Sequence, residues 1–154
     1  MPRVLIVGIG NPLRSDDGVG LLVAQELLRE LPAHGDIQVI ATQQLTPEIA
    51  EFASRAERVL FVDAARLGEP GSLACRQISP GESPGRYSHE LSAVTILQLA
   101  QKLYGRCPPA YLITVAGATF DTGDKLSAAV TDVLPALGKK IQQFIDDVVE
   151  TETS

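Results

Sequence analysis

At 154 residues, 45% of them apolar and 21% charged, the chain is sized for a single domain with a buried core, expected over residues 1–150 and followed by a polar tail over 151–154. Its formal charge of −6 argues against nucleic acid or an anionic membrane as main partner, since both need a positive patch. The apolar run after Arg3 ends by Ile9, too short for a secretory core or a membrane span. A cytoplasmic protein is therefore expected, with Cys75 and Cys107 reduced, too far apart for a CxxC pair, and Cys75 part of a strand core.

Arg3 to Val7 is a continuous apolar run stopped by glycines, the pattern of a strand buried on both faces. Val19, Leu22, Val23, Leu27 and Leu31 recur at helical spacing until Pro32. Ile37 to Ala41 reads as a second strand, and Thr46-Pro47-Glu48 opens a short helix to about Ser54. Val59 to Val62 is a third strand ending on Asp63. This alternation implies right-handed crossovers and a parallel sheet covered on both faces. Ser72 to Ile78 reads as a fourth strand with no helix before it, so it is expected to run antiparallel. A turn-rich loop, Ser79 to Gly85, precedes Ser88-His89-Glu90. Leu91 to Leu103 is expected to be helical, Tyr111 to Ala116 a fifth strand, and Leu126 to Val149 a closing helix that Pro135 is positioned to kink or split.

The loop after the first strand carries the strongest chemical signal. Gly8-Ile9-Gly10-Asn11-Pro12-Leu13-Arg14-Ser15-Asp16-Asp17-Gly18 lacks the third glycine of a dinucleotide-binding turn, since Leu13 stands there. It ends in two carboxylates, which repel a pyrophosphate and favour cations. In open α/β sheets, ligands gather outside the carboxyl ends of the strands, at the switch point of the strand order. If the first and third strands are neighbours, Asp17 and Asp63 share that edge. His89, opening a helix after the loop, can reach it too, and the helix dipole keeps its imidazole neutral for a metal. Each residue also fits a plainer role: Asp16 and Asp17 as helix caps, Asp63 as a strand-end turn residue, His89 as an exposed histidine. His34 reads as a turn residue and Asp124 as a cap for the last helix. With two histidines there is no HExxH pattern, and no Gly-x-Ser-x-Gly elbow or Cys-His arrangement is present.

The chain resembles the hydrogenase maturation endopeptidases, which remove a C-terminal extension from the large subunit of nickel-iron hydrogenases after nickel insertion. The segment from Gly8 to Gly20 matches the family's GxGNxLxxD(D/E)GxG opening. Val62-Asp63-Ala64 matches its second motif and Ser88-His89-Glu90-Leu91-Ser92 its third, with weaker matches at Thr114 to Gly117 and Lys125 to Ser127.

The resemblance implies a three-layer α/β/α fold of phosphorylase/hydrolase-like type. Its five-stranded mixed sheet has strand order 2-1-3-5-4 with strand four reversed. It also implies that Asp17, Asp63 and His89 are the catalytic, metal-binding ligands of an aspartic-type endopeptidase. The nickel would be supplied by the substrate, the hydrogenase large-subunit precursor. Two departures stand out: Asp17 occupies a position where some members carry glutamate, one methylene longer, and Thr42 to Pro47 replaces a glycine-bearing segment. A metal-dependent hydrolase of small molecules and a nickel-delivery or scaffold protein are the alternatives.

Overall fold

The computed structural model describes residues 3–31, 35–83 and 88–153, and the side chains of all of these except 88–92 and 149–153. His34, residues 84–85 of the turn-rich loop and the two residues after it lie outside the described residues. The chain runs β1 (Val4–Ile9), a 3-10 turn (Ser15–Gly18), α1 (Val19–Glu30), β2 (Ile37–Thr42), α2 (Glu48–Arg55) and β3 (Arg58–Ala65). It continues through β4 (Leu73–Ile78), α3 (Ser88–Tyr104), β5 (Ala110–Ala116) and α4 (Ala128–Thr153). The five strands form one sheet in the order β2-β1-β3-β5-β4. β1 pairs in parallel with β2 and β3, β3 in parallel with β5, and β4 antiparallel with β5. This is the order and polarity that the sequence and its resemblance led us to expect.

The two faces of the sheet build two cores, because successive strand residues point to opposite sides. Leu5, Val7 and Ile9 of β1, with Val59 and Phe61 of β3, pack against Ile49, Ala50 and Ala53 of α2 and Ala93, Ile96, Leu97 and Ala100 of α3. Val4, Ile6, Leu60, Val62, Ile113 and Val115 pack on the other face against Val19 of α1 and Val130, Leu137, Ile141 and Ile145 of α4. Burial on both faces is why β1 reads as an unbroken apolar run. Each fully buried Leu, Ile or Phe among these is worth about 1.5–3 kcal/mol over an exposed one.

Local chemistry sets the element ends. Leu31 takes an extended conformation (φ −82°, ψ 134°) before Pro32, which disfavours helical geometry in the residue preceding it, and α1 stops at Glu30. α4 passes through Pro135 without a break and continues to Thr153, beyond the end expected at Val149, since no glycine or further proline stops it. The proline removes the amide that would bond to the carbonyl of Thr131. Ser127, not Asp124, caps α4: its hydroxyl accepts the N–H of Val130 at 3.3 Å.

Cys75 corrects the sequence reading: it is exposed rather than core. β4 is an edge strand, and its Cys75 pairs with Ile113, outboard of the apolar stripe that α4 covers.

The junction that brings α1 onto the sheet depends on glycines. A methyl group at Gly20 would collide with the backbone carbonyls of Val62 and Ile9, and one at Gly8 with the carbonyl of Gly20. α1 therefore starts pressed against the ends of β1 and β3. Gly20→Ala should destabilise the fold by roughly 1–3 kcal/mol through overpacking, because backbone must move. Thermal unfolding followed by circular dichroism checks this; an unchanged midpoint would contradict the contact.

Candidate active site at the carboxyl edge of the sheet

Asp17 and Asp63 reach the same edge by different routes. β1 and β3 are parallel neighbours, paired through Gly8 and Val62, so their carboxyl ends lie side by side. Asp63 falls on the face of Val59 and Phe61, the face that α2 and α3 cover. It is 2% exposed, and its Oδ1 accepts the N–H of Ala64 at 2.8 Å. Asp17 sits on the 3-10 turn between β1 and α1, which lies against β3. It is 7% exposed, and its Oδ2 accepts the N–H of Asn11 at 3.0 Å.

The backbone of His89 belongs to the first turn of α3. The other end of that helix is fixed at the amino edge of the sheet, where Arg106 donates 2.6 Å hydrogen bonds to the carbonyls of Ser54 and Ala56 just before β3 begins. Seventeen residues of helix span about 25 Å, roughly the length of the strands, so α3 starts towards the carboxyl edge. The side chain of His89 lies outside the described residues. Among the described residues, no cluster of three His, Cys, Asp or Glu side chains forms a metal cage.

Neither aspartate caps α1. The residue at its start, Gly18, makes no side-chain capping bond, and the two carboxylates are engaged elsewhere. Asp16 is fully buried. Its Oδ2 accepts the N–H of Ala118 at 2.7 Å, the N–H of Thr119 at 3.2 Å and the hydroxyl of Ser127 at 2.8 Å; its Oδ1 accepts the N–H of Ser127 at 2.7 Å. Burial pushes this carboxyl's pKa up. The hydrogen bonds from Ser127, Ala118 and Thr119 together outweigh that and hold it below its ordinary 3.8. Sequence reasoning missed this role. The signal available was weak: two adjacent acids on a tight turn cannot share one direction, and Ser127 stands at a helix start.

A depressed pKa fixes the sign of the pH dependence. The ionised, hydrogen-bonded Asp16 contributes full stability above its unfolded-state pKa, and that contribution is lost as pH falls through the lower folded value. Asp16→Ala should cost about 2–4 kcal/mol, because three backbone N–H groups and a hydroxyl lose a charged, buried acceptor, and should flatten the acid limb of stability against pH. Urea unfolding of both chains at pH 7 and near pH 3 measures this. A loss equal at both pH values would contradict the ionised role.

The rim around the two acids is tied together by backbone. Ser15 donates its N–H to Gly123 O (2.9 Å) and its hydroxyl to Asp121 O (2.8 Å), while Gly123 N donates to Leu13 O (2.9 Å). Gly117 N donates to Ala65 O (3.0 Å), and the Arg66 guanidinium stacks 4.3 Å above the Phe120 ring. Loops following β1, β3 and β5 thus form one border. Chemically, it surrounds buried oxygen donors of the kind that take a proton or bind a divalent cation.

No family model matches the chain. It is 28% identical over 132 residues to the hydrogenase expression/formation protein HupD of Bradyrhizobium diazoefficiens, covering 79% of this chain and 65% of HupD. The match therefore spans just under two thirds of that curated relative. Among solved structures, the fold is similar to the hydrogenase maturating endopeptidase HybD from E. coli, with TM-score 0.74, 20% identity, and 94% and 93% of the two chains covered. It is also similar to the [NiFe] hydrogenase maturation protease HycI from Thermococcus kodakarensis KOD1, with TM-score 0.69, 25% identity and 94% and 92% covered. The resemblance read from the motifs is thus borne out in both sequence and fold.

Proposed function

We propose that this chain, which shares motifs and fold with the hydrogenase maturation endopeptidases, is itself an endopeptidase that removes a C-terminal extension from a nickel-iron hydrogenase large-subunit precursor. The observation that carries the reading is the pairing of two buried carboxylates, Asp17 and Asp63, at the adjoining carboxyl ends of β1 and β3. They occur within the ordered motifs through which the chain resembles that family. We assign Asp17, Asp63 and His89 as the residues that meet the substrate's nickel.

The donor set fits such a metal. Two carboxylates and one imidazole are an incomplete ligand set without thiolates, suited to completing the coordination of a borderline ion already held by another protein. When present, the substrate's nickel supplies a Lewis acid beside the scissile carbonyl. The chain's own groups do the rest. In this reading the carboxylates of Asp17 and Asp63 would serve as ligands to that metal or, alternatively, one of them would accept a proton from the attacking water, in the manner of an aspartic-type peptidase. A neutral His89 offers a ring nitrogen, which the dipole of α3 favours over imidazolium.

We further place the reaction in the cytoplasm, where Cys75 and Cys107 stay reduced. Among the described residues, no helix is long and apolar enough to cross a membrane. The segment Thr42 to Pro47, which departs from better-known members, follows β2 at the same edge and is the place to look for discrimination among hydrogenases.

The test is to incubate the purified chain with nickel-loaded precursor and follow both peptide length and metal content. Shortening of the precursor supports the endopeptidase. Nickel transfer without shortening would make the chain a carrier, and neither change would leave small-molecule hydrolysis as the better account.

A further inference from the structure

We infer that Asp16 is the positioning residue of the site: its buried carboxylate fastens the turn carrying Asp17 to the loop between β5 and α4, so a contact 111 positions along the chain sets where Asp17 stands. The activity arm of the test below rests on the proposed endopeptidase function; the geometric arm does not.

The 3-10 turn has little cohesion of its own. It has four residues and no side-chain cap, and it begins at Ser15 with φ 52°, a left-handed conformation that costs a residue with a Cβ about 1–2 kcal/mol. What holds it is the loop facing it. Asp16 N donates to Thr119 O (3.1 Å), Ser15 makes its two bonds to Gly123 and Asp121, and the Asp16 carboxylate gathers Ala118, Thr119 and Ser127. The fit is close, since a methyl at Gly117 would lie 2.9 Å from Asp16 Cβ and 2.6 Å from the Phe120 ring. Adjacent residues on this turn divide the work: Asp16 is anchored inward and Asp17 is left at the edge with Asn11. An aspartate is short, so Asp17 cannot extend its side chain to make up for a shifted backbone.

Removing the Asp16 charge leaves three backbone N–H groups and a hydroxyl converging on a poorer acceptor. The turn should then lift away from the β5–α4 loop. Stability alone would be lost by any core substitution, whereas loss of position should appear at Asp17 and its partner. The test compares Asp16→Asn, Ser127→Ala and Ser127→Thr with Leu137→Ala, a buried α4 substitution more than two helical turns beyond Ser127. The first readout is amide hydrogen exchange at Asn11, whose N–H donates to Asp17. The second is the split between kcat and KM for nickel-loaded precursor, measured well below each variant's unfolding midpoint.

Asp16→Asn should speed exchange at Asn11 by about tenfold or more relative to Ile6 in β1, and should lower kcat by about tenfold to a hundredfold with little change in KM, as expected for a misplacement near 1 Å. Ser127→Ala should give a smaller effect of the same kind. Ser127→Thr, which keeps the hydroxyl, should restore both readouts, and Leu137→Ala should change neither. If Asp16→Asn fails to fold, Ser127→Ala and its threonine rescue decide the matter, because the Ser127 N–H bond to Asp16 remains. A folded Asp16→Asn or Ser127→Ala chain with native exchange at Asn11, or a kcat loss matched by Leu137→Ala, overturns the inference. If the native chain does not cleave precursor at all, the functional proposal fails while the exchange comparison still tests the positioning role.

Discussion

Asp63→Asn is expected to abolish precursor processing while leaving the protein folded. The substitution keeps the volume of the side chain and an amide oxygen able to accept the Ala64 N–H. What it removes is the negative charge at the carboxyl edge and a group able to take a proton from water. Proton transfer by a positioned side chain contributes about a hundredfold to ten-thousandfold, and loss of a ligand for the substrate's metal would add to that. His89→Ala should behave in the same way, because the imidazole is assigned to the substrate's nickel rather than to the core. Circular dichroism, the thermal midpoint and cleavage should be measured on the same preparations. Native midpoints with cleavage reduced by more than about a hundredfold support the assignment. Full activity in either variant removes that residue from the site.

The second large effect concerns the metal. Cleavage should depend on nickel carried by the precursor rather than on an ion held permanently by this chain. Three oxygen and nitrogen ligands without a thiolate make a poor permanent cage, yet they can complete contacts to an ion anchored elsewhere. Enzyme stripped with chelator and desalted should therefore cut nickel-loaded precursor at the untreated rate. Nickel-free precursor should resist cleavage even at high enzyme concentration. Equal cleavage of nickel-free precursor by stripped enzyme would contradict nickel sensing and leave an aspartate-driven peptidase as the better account.

The sheet was legible because its signals are local and strong. A run such as Val4 to Val7 has no polar face to expose, and the missing helix before Leu73 forces β4 to reverse. The shared edge of Asp17 and Asp63 was legible for the same reason: each follows an apolar strand run, and the parallel pairing of β1 with β3 puts those ends together, although β3 continues past Asp63 to Ala65. Asp16 was not. Its partners are Ala118, Thr119 and Ser127, and no spacing rule links a turn after the first strand to a loop after the last. Cys75 was misjudged because an alternating strand pattern does not tell an edge from a centre, and here the core reaches Leu73 and Ile78 at the ends of the outermost strand but leaves Cys75 exposed. Pro135 was expected to kink or split the closing helix, yet α4 is not split: a helix packed along the sheet through Leu137, Ile141 and Ile145 carries the loss of one hydrogen bond.

The most direct test of the central claim is the intact mass of a nickel-loaded large-subunit precursor before and after incubation with this chain, alongside the Asp63→Asn variant. The account predicts a single new species lighter by the mass of a C-terminal segment, with the released peptide recovered, and no such species with the variant. A precursor whose mass is unchanged by the native chain, or shortened equally by Asp63→Asn, would contradict it.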